Sequence, residues 1–176
     1  YNNGVLHGVW IDADTDVGVM QDAINAMLRK SPYPTVMVED PETGKQVPSA
    51  EEWAIHDYEG MPSTFDEYTR LAEIAEYMKL AEERGSIDND ALRAIVDDFD
   101  SVEDARAALE DRFCGIYDSF KDYAREKADE MLFCYGKEKE VQWLIEYFDY
   151  EAFARDLKLD MYLIGLPNGD VAVFYA

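Results

Sequence analysis

A chain of 176 residues with 39 acidic against 16 basic side chains carries a formal charge of −23, which repels nucleic acid and anionic membranes and attracts basic surfaces. Aromatic residues make up 13% of it and hydrophobic residues 48%, too many for a disordered acidic tail and enough for one compact domain or a few very small ones. There is no run of 18 apolar residues to predict a membrane helix, no secretory leader is read at the start, and Cys114 and Cys134, set among apolar neighbours, suggest reduced, buried thiols of a cytoplasmic protein.

Residues 5–11 read as a short strand. Asp14 or Thr15 then caps a helix with Val17, Met20, Ile24, Met27 and Leu28 on one face, and Ser31-Pro32-Tyr33-Pro34 stops it. Residues 35–38 are β-branched and strand-like, and Pro41-Glu42-Thr43-Gly44 is turn sequence ahead of the segment 53–58. From Met61 the pattern turns helical. Thr64 and Glu67 are spaced as a capping box before Leu71, Ile74, Ala75 and Met78, with Gly85 behind them. Leu92, Ile95, Val96 and Phe99 mark a second helix. Ser101 and Asp104 open a third, with Val102, Ala105, Leu109 and Phe113 inward and Gly115 closing it. A fourth carries Phe120, Tyr123, Ala124, Met131 and Leu132 and closes at Gly136, so that the stretch predicts a small helical bundle. Beyond it, Val141, Leu144, Ile145 and Phe148 predict a helix and residues 150–157 another. Residues 161–166 and 171–175 predict a β-hairpin around Asn168-Gly169, a favoured two-residue turn. The expected class is α+β in three small domains: an N-terminal α+β unit over 1–60, four helices over 61–138 and an α+β unit with the hairpin over 139–176.

Three constellations invite chemistry. Asp12, Asp14 and Asp16 are spaced like the opening of a calcium loop, but the sixth and twelfth positions, which need Gly for the turn and a bidentate Glu, hold Val17 and Ala23. A carboxylate cluster at a helix N-terminus is the simpler account. His56, Asp57 and Glu59, with His7, could serve an acidic metal-dependent enzyme, though adjacent residues on a strand point to opposite faces. No phosphate loop, nucleophile elbow or Cys-x-x-Cys pair accompanies them, and no metal or cofactor is expected. The third constellation is acid itself. Asp97, Asp98, Asp100, Glu103, Asp104, Glu110 and Asp111 fall within fifteen residues, where neighbours three or four apart repel by a few tenths of a kcal/mol, roughly 0.2–0.5 per pair. Arg93, Arg106 and Arg112 offset this in part, so a solvated helix face competes with a functional surface. The net charge of each segment, 1–60, 61–140 and 141–176, is negative, which places the acid on folded elements and not on a tail.

Three blocks carry a resemblance. His7-Gly8-Val9-Trp10-Ile11-Asp12, then Glu52-Trp53-Ala54-Ile55-His56-Asp57-Tyr58-Glu59, then Tyr147-Phe148-Asp149-Tyr150-Glu151-Ala152-Phe153-Ala154-Arg155-Asp156-Leu157 resemble, in that order, the ArdA antirestriction proteins. The resemblance spans nearly the whole chain, and the last block is its most specific part. It implies a non-catalytic protein encoded on mobile genetic elements that inhibits type I restriction–modification enzymes. It further implies an elongated homodimer of three-domain chains, whose surface carboxylates imitate the phosphates of bent B-form DNA, and a strand ahead of Tyr1. The antirestriction motif would be Tyr147, Phe148, Asp149, Tyr150, Glu151, Phe153, Arg155, Asp156 and Leu157, in the C-terminal domain that forms the dimer interface.

Asp66, Glu67, Glu73 and Glu76 join the seven acids of 97–111 as expected phosphate surrogates. Two chains would bring −46, twice the −23 of one, equal in charge to roughly 78 Å of duplex at ~1.7 Å per charge. The protein partner is then the basic DNA groove of a restriction–modification enzyme, with no nucleic acid or membrane bound. Two other readings remain at this point: the enzyme built on His56, Asp57 and Glu59, which predicts a cleft with perturbed ionisable groups, and an acidic scaffold that binds no basic groove.

Overall fold

A computed structural model of the chain describes residues 7–135 and 146–176. The chain divides into two compact units, residues 1–86 and 87–176, and both mix helix with sheet, as the expected α+β class requires.

In the first unit, helix α1 (Val17–Arg29) buries Met20, Ile24 and Leu28, one residue per turn along a single stripe. Its cap is Asp16, one residue beyond the predicted positions, whose carboxylate accepts from the Gly18 amide at 2.7 Å. Strands β1 (Val36–Glu39) and β2 (Gln46–Ser49) form an antiparallel pair, and the Ala50 amide donates to the Leu28 carbonyl at 3.1 Å, fastening the pair to the end of α1. Helix α2 (Leu71–Glu83) lays Ile74 and Ala75 against Met20, with Ile55, Tyr58, Met61 and Phe65 around them. The Phe65 ring meets Tyr58 and Tyr77 edge-on at 6.0 and 5.9 Å.

Three expectations fail here. Residues 7–11 form no strand; they run without regular structure and leave Trp10 70% exposed, while β1 and β2 pair with each other as a two-stranded sheet. Residues 53–58 likewise carry no regular structure. The capping box at Thr64 and Glu67 does not start a helix, because Asp66 and Thr69 close a turn first: the Tyr68 amide donates to the Asp66 carboxylate and the Asp66 amide to the Thr69 hydroxyl, both at 2.8 Å. Such local bonds compete with helix formation, and α2 begins only after Arg70.

In the second unit, α3 (Asn89–Asp97) and α4 (Val102–Asp111) bury Leu92, Ile95, Val96, Val102, Ala105 and Leu109. Strand β3 (Phe113–Tyr117) then stands where the sequence predicts the end of α4. Helix α5 (Phe120–Tyr135) buries Tyr123, Ala124 and Ala128. Helix α6 (Tyr150–Leu157) and one 3-10 turn lead into β4 (Met161–Gly165) and β5 (Val171–Tyr175). The sheet order is β3-β5-β4, all antiparallel, so β5 is central and buries three consecutive residues, Ala172, Val173 and Phe174, as a strand covered on both faces does. The register slips between Phe113 and Gly115, leaving Cys114 as a bulge.

The hairpin is present but its turn is not the predicted one. Leu166 and Asp170 still pair through a 2.8 Å bond, and the Gly169 amide donates to the Leu166 carbonyl at 3.0 Å. Gly169 has φ +97° while no non-glycine residue has positive φ, which describes a three-residue loop closed by a glycine bulge. Both cysteines are free, as expected, but neither is buried: Cys114 is half-buried and Cys134 exposed. The predictions at Val5, Leu6, Gly136, Val141, Leu144 and Ile145 lie outside the described residues. Among the described residues no helix is long and apolar enough to cross a membrane.

Candidate functional site

The predicted carboxylates occupy three kinds of position. Asp66 closes its turn and Glu67 stands exposed beside Tyr68, whose phenol it pushes above the ordinary tyrosine range by hydrogen bonding. Glu73 sits half-buried in the first turn of α2, where the helix dipole favours it. Glu76 is half-buried and ion-paired to Lys79 at 2.8 Å. These four belong to the first unit.

The other seven belong to the second unit and trace one path: the end of α3, the turn after it, and both ends of α4. Asp97 is half-buried, and Asp98, Asp100, Glu103, Asp104, Glu110 and Asp111 are exposed. Ser101 caps α4 by accepting from the Asp104 amide at 3.1 Å, and its hydroxyl donates a hydrogen bond to the Asp104 carboxylate. Glu103 reaches Arg106 only at 4.0 Å. The helix ends are the informative part. Helices α2, α3, α4 and α5 have no basic residue in their last turn. Helix α3 instead finishes on Asp97 with Asp98 as its C-cap, and α4 finishes on Glu110 and Asp111. Carboxylates at that end oppose the helix dipole at about 0.3–1 kcal/mol each, a cost that Arg112 at the C-cap of α4 and the Tyr162 hydroxyl bonded to Asp98 offset in part.

Residues 147–157 make a different surface. Asp149 caps α6 by accepting from the Ala152 amide at 2.9 Å. Phe148 packs against Tyr150 at 4.9 Å and Phe153 at 5.6 Å between ring centroids. Tyr150 donates to Asp129 of α5 at 2.6 Å while Arg125 lies over its ring, and Glu151 pairs with Lys121 at 2.8 Å. Arg155 and Asp156 face each other at 3.7 Å, both exposed. Tyr147 is 78% exposed and Leu159 83%, whereas Phe148, Phe153 and Leu157 are half-buried. The aromatic part of this segment is therefore only partly core.

The rival chemistries find less. Asp14 accepts from the Asp16 amide at 2.8 Å and Asp16 from Gly18, so two of the three carboxylates of the calcium-like run are engaged in entering α1. His7 contacts the Met27 carbonyl at 3.1 Å. His56, Asp57 and Glu59 are all exposed on irregular chain, and they line neither the groove of about 440 Å³ beside α1 nor the one of about 510 Å³ along α5. Among the described residues no three His, Cys, Asp or Glu side chains converge as a metal site. Sequence reasoning also passed over the acids of α5: Asp122, Glu126, Asp129 and Glu130 line the larger groove with Arg125 and Phe133. Their three- and four-residue spacing was the available signal.

What these positions define is an acidic α+β protein with many exposed carboxylates, several of them at helix ends where the dipole disfavours them. The sequence model of the ArdA antirestriction protein family matches residues 1–171, and the chain belongs to that family. No individual curated protein matches it.

Proposed function

We propose that the protein is a non-catalytic decoy for duplex DNA, which occupies the basic DNA-binding groove of a type I restriction–modification enzyme in the cytoplasm and acts as a homodimer joined through residues 147–157. The observation that carries this reading is the path of six exposed acids from Asp98 to Asp111, including carboxylates set against the dipoles of α3 and α4. A groove that binds DNA gains affinity by releasing counterions from phosphates. Carboxylates mounted on folded helices engage the same Lys and Arg side chains at little cost in chain entropy. Eleven acids share the work under this reading: Asp66, Glu67, Glu73 and Glu76 with Asp97, Asp98, Asp100, Glu103, Asp104, Glu110 and Asp111.

Titration of the protein against a type I restriction–modification complex, with duplex DNA as competitor at two salt concentrations, tests the proposal. Mutual exclusion with DNA and weaker binding at the higher salt are expected. Simultaneous binding of protein and DNA to one groove would overturn it.

A further inference from the structure

We infer that Tyr150 and Tyr162 are positioning residues of the carboxylate surface, each holding one aspartate in place without cancelling its charge. The inference rests on the decoy reading and adds Asp129 to its set of charges.

Tyr162, on β4, donates its hydroxyl to Asp98 at the C-terminus of α3, 64 residues away in sequence. Tyr150, on α6, donates to Asp129 on α5, 21 residues away, at 2.6 Å. Both phenols are pushed above the ordinary tyrosine range, first of all by these hydrogen bonds. Both rings are themselves held. Tyr162 lies edge-on to Phe99 at 6.1 Å and tilted against Phe174 at 6.5 Å. Tyr150 is fixed between Phe148 and the guanidinium of Arg125, which stands 5.3 Å from its ring centroid.

The nature of the donor is the point. Glu76, Asp90, Glu130 and Glu151 are fixed by Lys79, Arg93, Lys127 and Lys121, and each such ion pair is neutral as a unit. Among the described residues Asp98 and Asp129 make no ion pair within 4.0 Å, and both are exposed and held by a neutral hydroxyl. A tyrosine has two side-chain torsions and loses little freedom when it packs, so it fixes a surface group cheaply in entropy. A cationic groove meeting these aspartates then need not freeze them, and ordering a mobile side chain at an interface costs about 0.5–1.5 kcal/mol. Hydroxyl donors hold the charge still and leave it unneutralised.

The test compares Tyr150→Phe, Tyr162→Phe, Asp129→Asn and Asp98→Asn with the wild type. Four quantities are read: competition with DNA for the type I enzyme across salt concentrations, thermal melting, mass in light scattering, and ionisation of Tyr150 and Tyr162 followed by NMR of their ring carbons. Each Phe variant should stay folded and keep the wild-type mass in light scattering, melting somewhat lower for the lost hydrogen bond, and bind roughly two- to tenfold more weakly, with an unchanged salt slope because no charge has been removed. Each Asn variant should flatten the slope and return its partner tyrosine to ordinary ionisation. Asp129→Glu keeps the charge and displaces it by one methylene; it should weaken binding as Tyr150→Phe does, which separates positioning from any loss of fold in the Phe variant. Wild-type tyrosines that ionise normally would overturn the inference, as would Phe variants that bind like the wild type. Failure of the wild type to compete with DNA is visible in the control and overturns the decoy reading itself, and the clamps' role with it.

Discussion

At Gly115 the backbone takes φ +134°, and a β-carbon there would stand 3.0 Å from the Tyr117 ring. The bulge that places Cys114 outside the register depends on that conformation, so Gly115→Ala should cost about 1–3 kcal/mol, read as a lower melting temperature. Tyr123 lies wholly inside the second unit. Burial, and then its neighbours Cys114 and Tyr175, push its phenol well above the ordinary tyrosine range. A raised pKa means that the folded state favours the protonated phenol. This contribution is complete below the unfolded value near 10 and is lost as pH climbs from there toward the folded value. Stability measured by denaturant titration should therefore fall from about pH 10 upward, and Tyr123→Phe should flatten that fall. Phe153, half-buried against Phe148, belongs under the proposal to the contact between two chains. Phe153→Ala is expected to shift light scattering from dimer toward monomer, and an unchanged mass would remove it from that contact.

Helices were legible because their apolar spacing survives folding: Met20, Ile24 and Leu28 on α1, Leu92, Ile95 and Val96 on α3, and Val102, Ala105 and Leu109 on α4 are buried. Strand β3 was not legible. Phe113 follows Leu109 at helical spacing and Gly115 resembles a stop, and only pairing with the distant β5 makes this stretch a strand. Asn168-Gly169 misled for a local reason: Pro167 opens a turn that places Gly169, and not Asn168, at positive φ. The exposed acids followed from the helix faces, since a residue off the apolar stripe meets water. Their tyrosine partners did not follow, because Tyr150 and Tyr162 reach Asp129 and Asp98 from other elements. At this scale the dipole gives a test that separates stability from function. Glu110→Gln and Asp111→Asn at the end of α4 should each stabilise the fold by about 0.3–1 kcal/mol in thermal melts, while weakening binding to the restriction enzyme. A gain in both would remove these acids from the functional surface.

For the whole molecule, a charge of −23 is by itself compatible with solubility alone. What narrows it is the match of residues 1–171 to the antirestriction family together with acids placed where the helices do not favour them. If the charges act together against a basic groove, no single one is indispensable. Each carboxylate that meets a cation of the groove adds to the salt dependence of binding, so the slope of log affinity against log salt becomes shallower as contacts are removed. The most direct measurement is that slope for variants carrying one, two, three and four neutralising changes at Asp98, Asp100, Asp104 and Asp111, each checked for an intact fold. The account predicts a stepwise loss of affinity with a stepwise shallower slope. Abolition of binding by one substitution in a folded protein, or a slope that stays constant across the series, would contradict it.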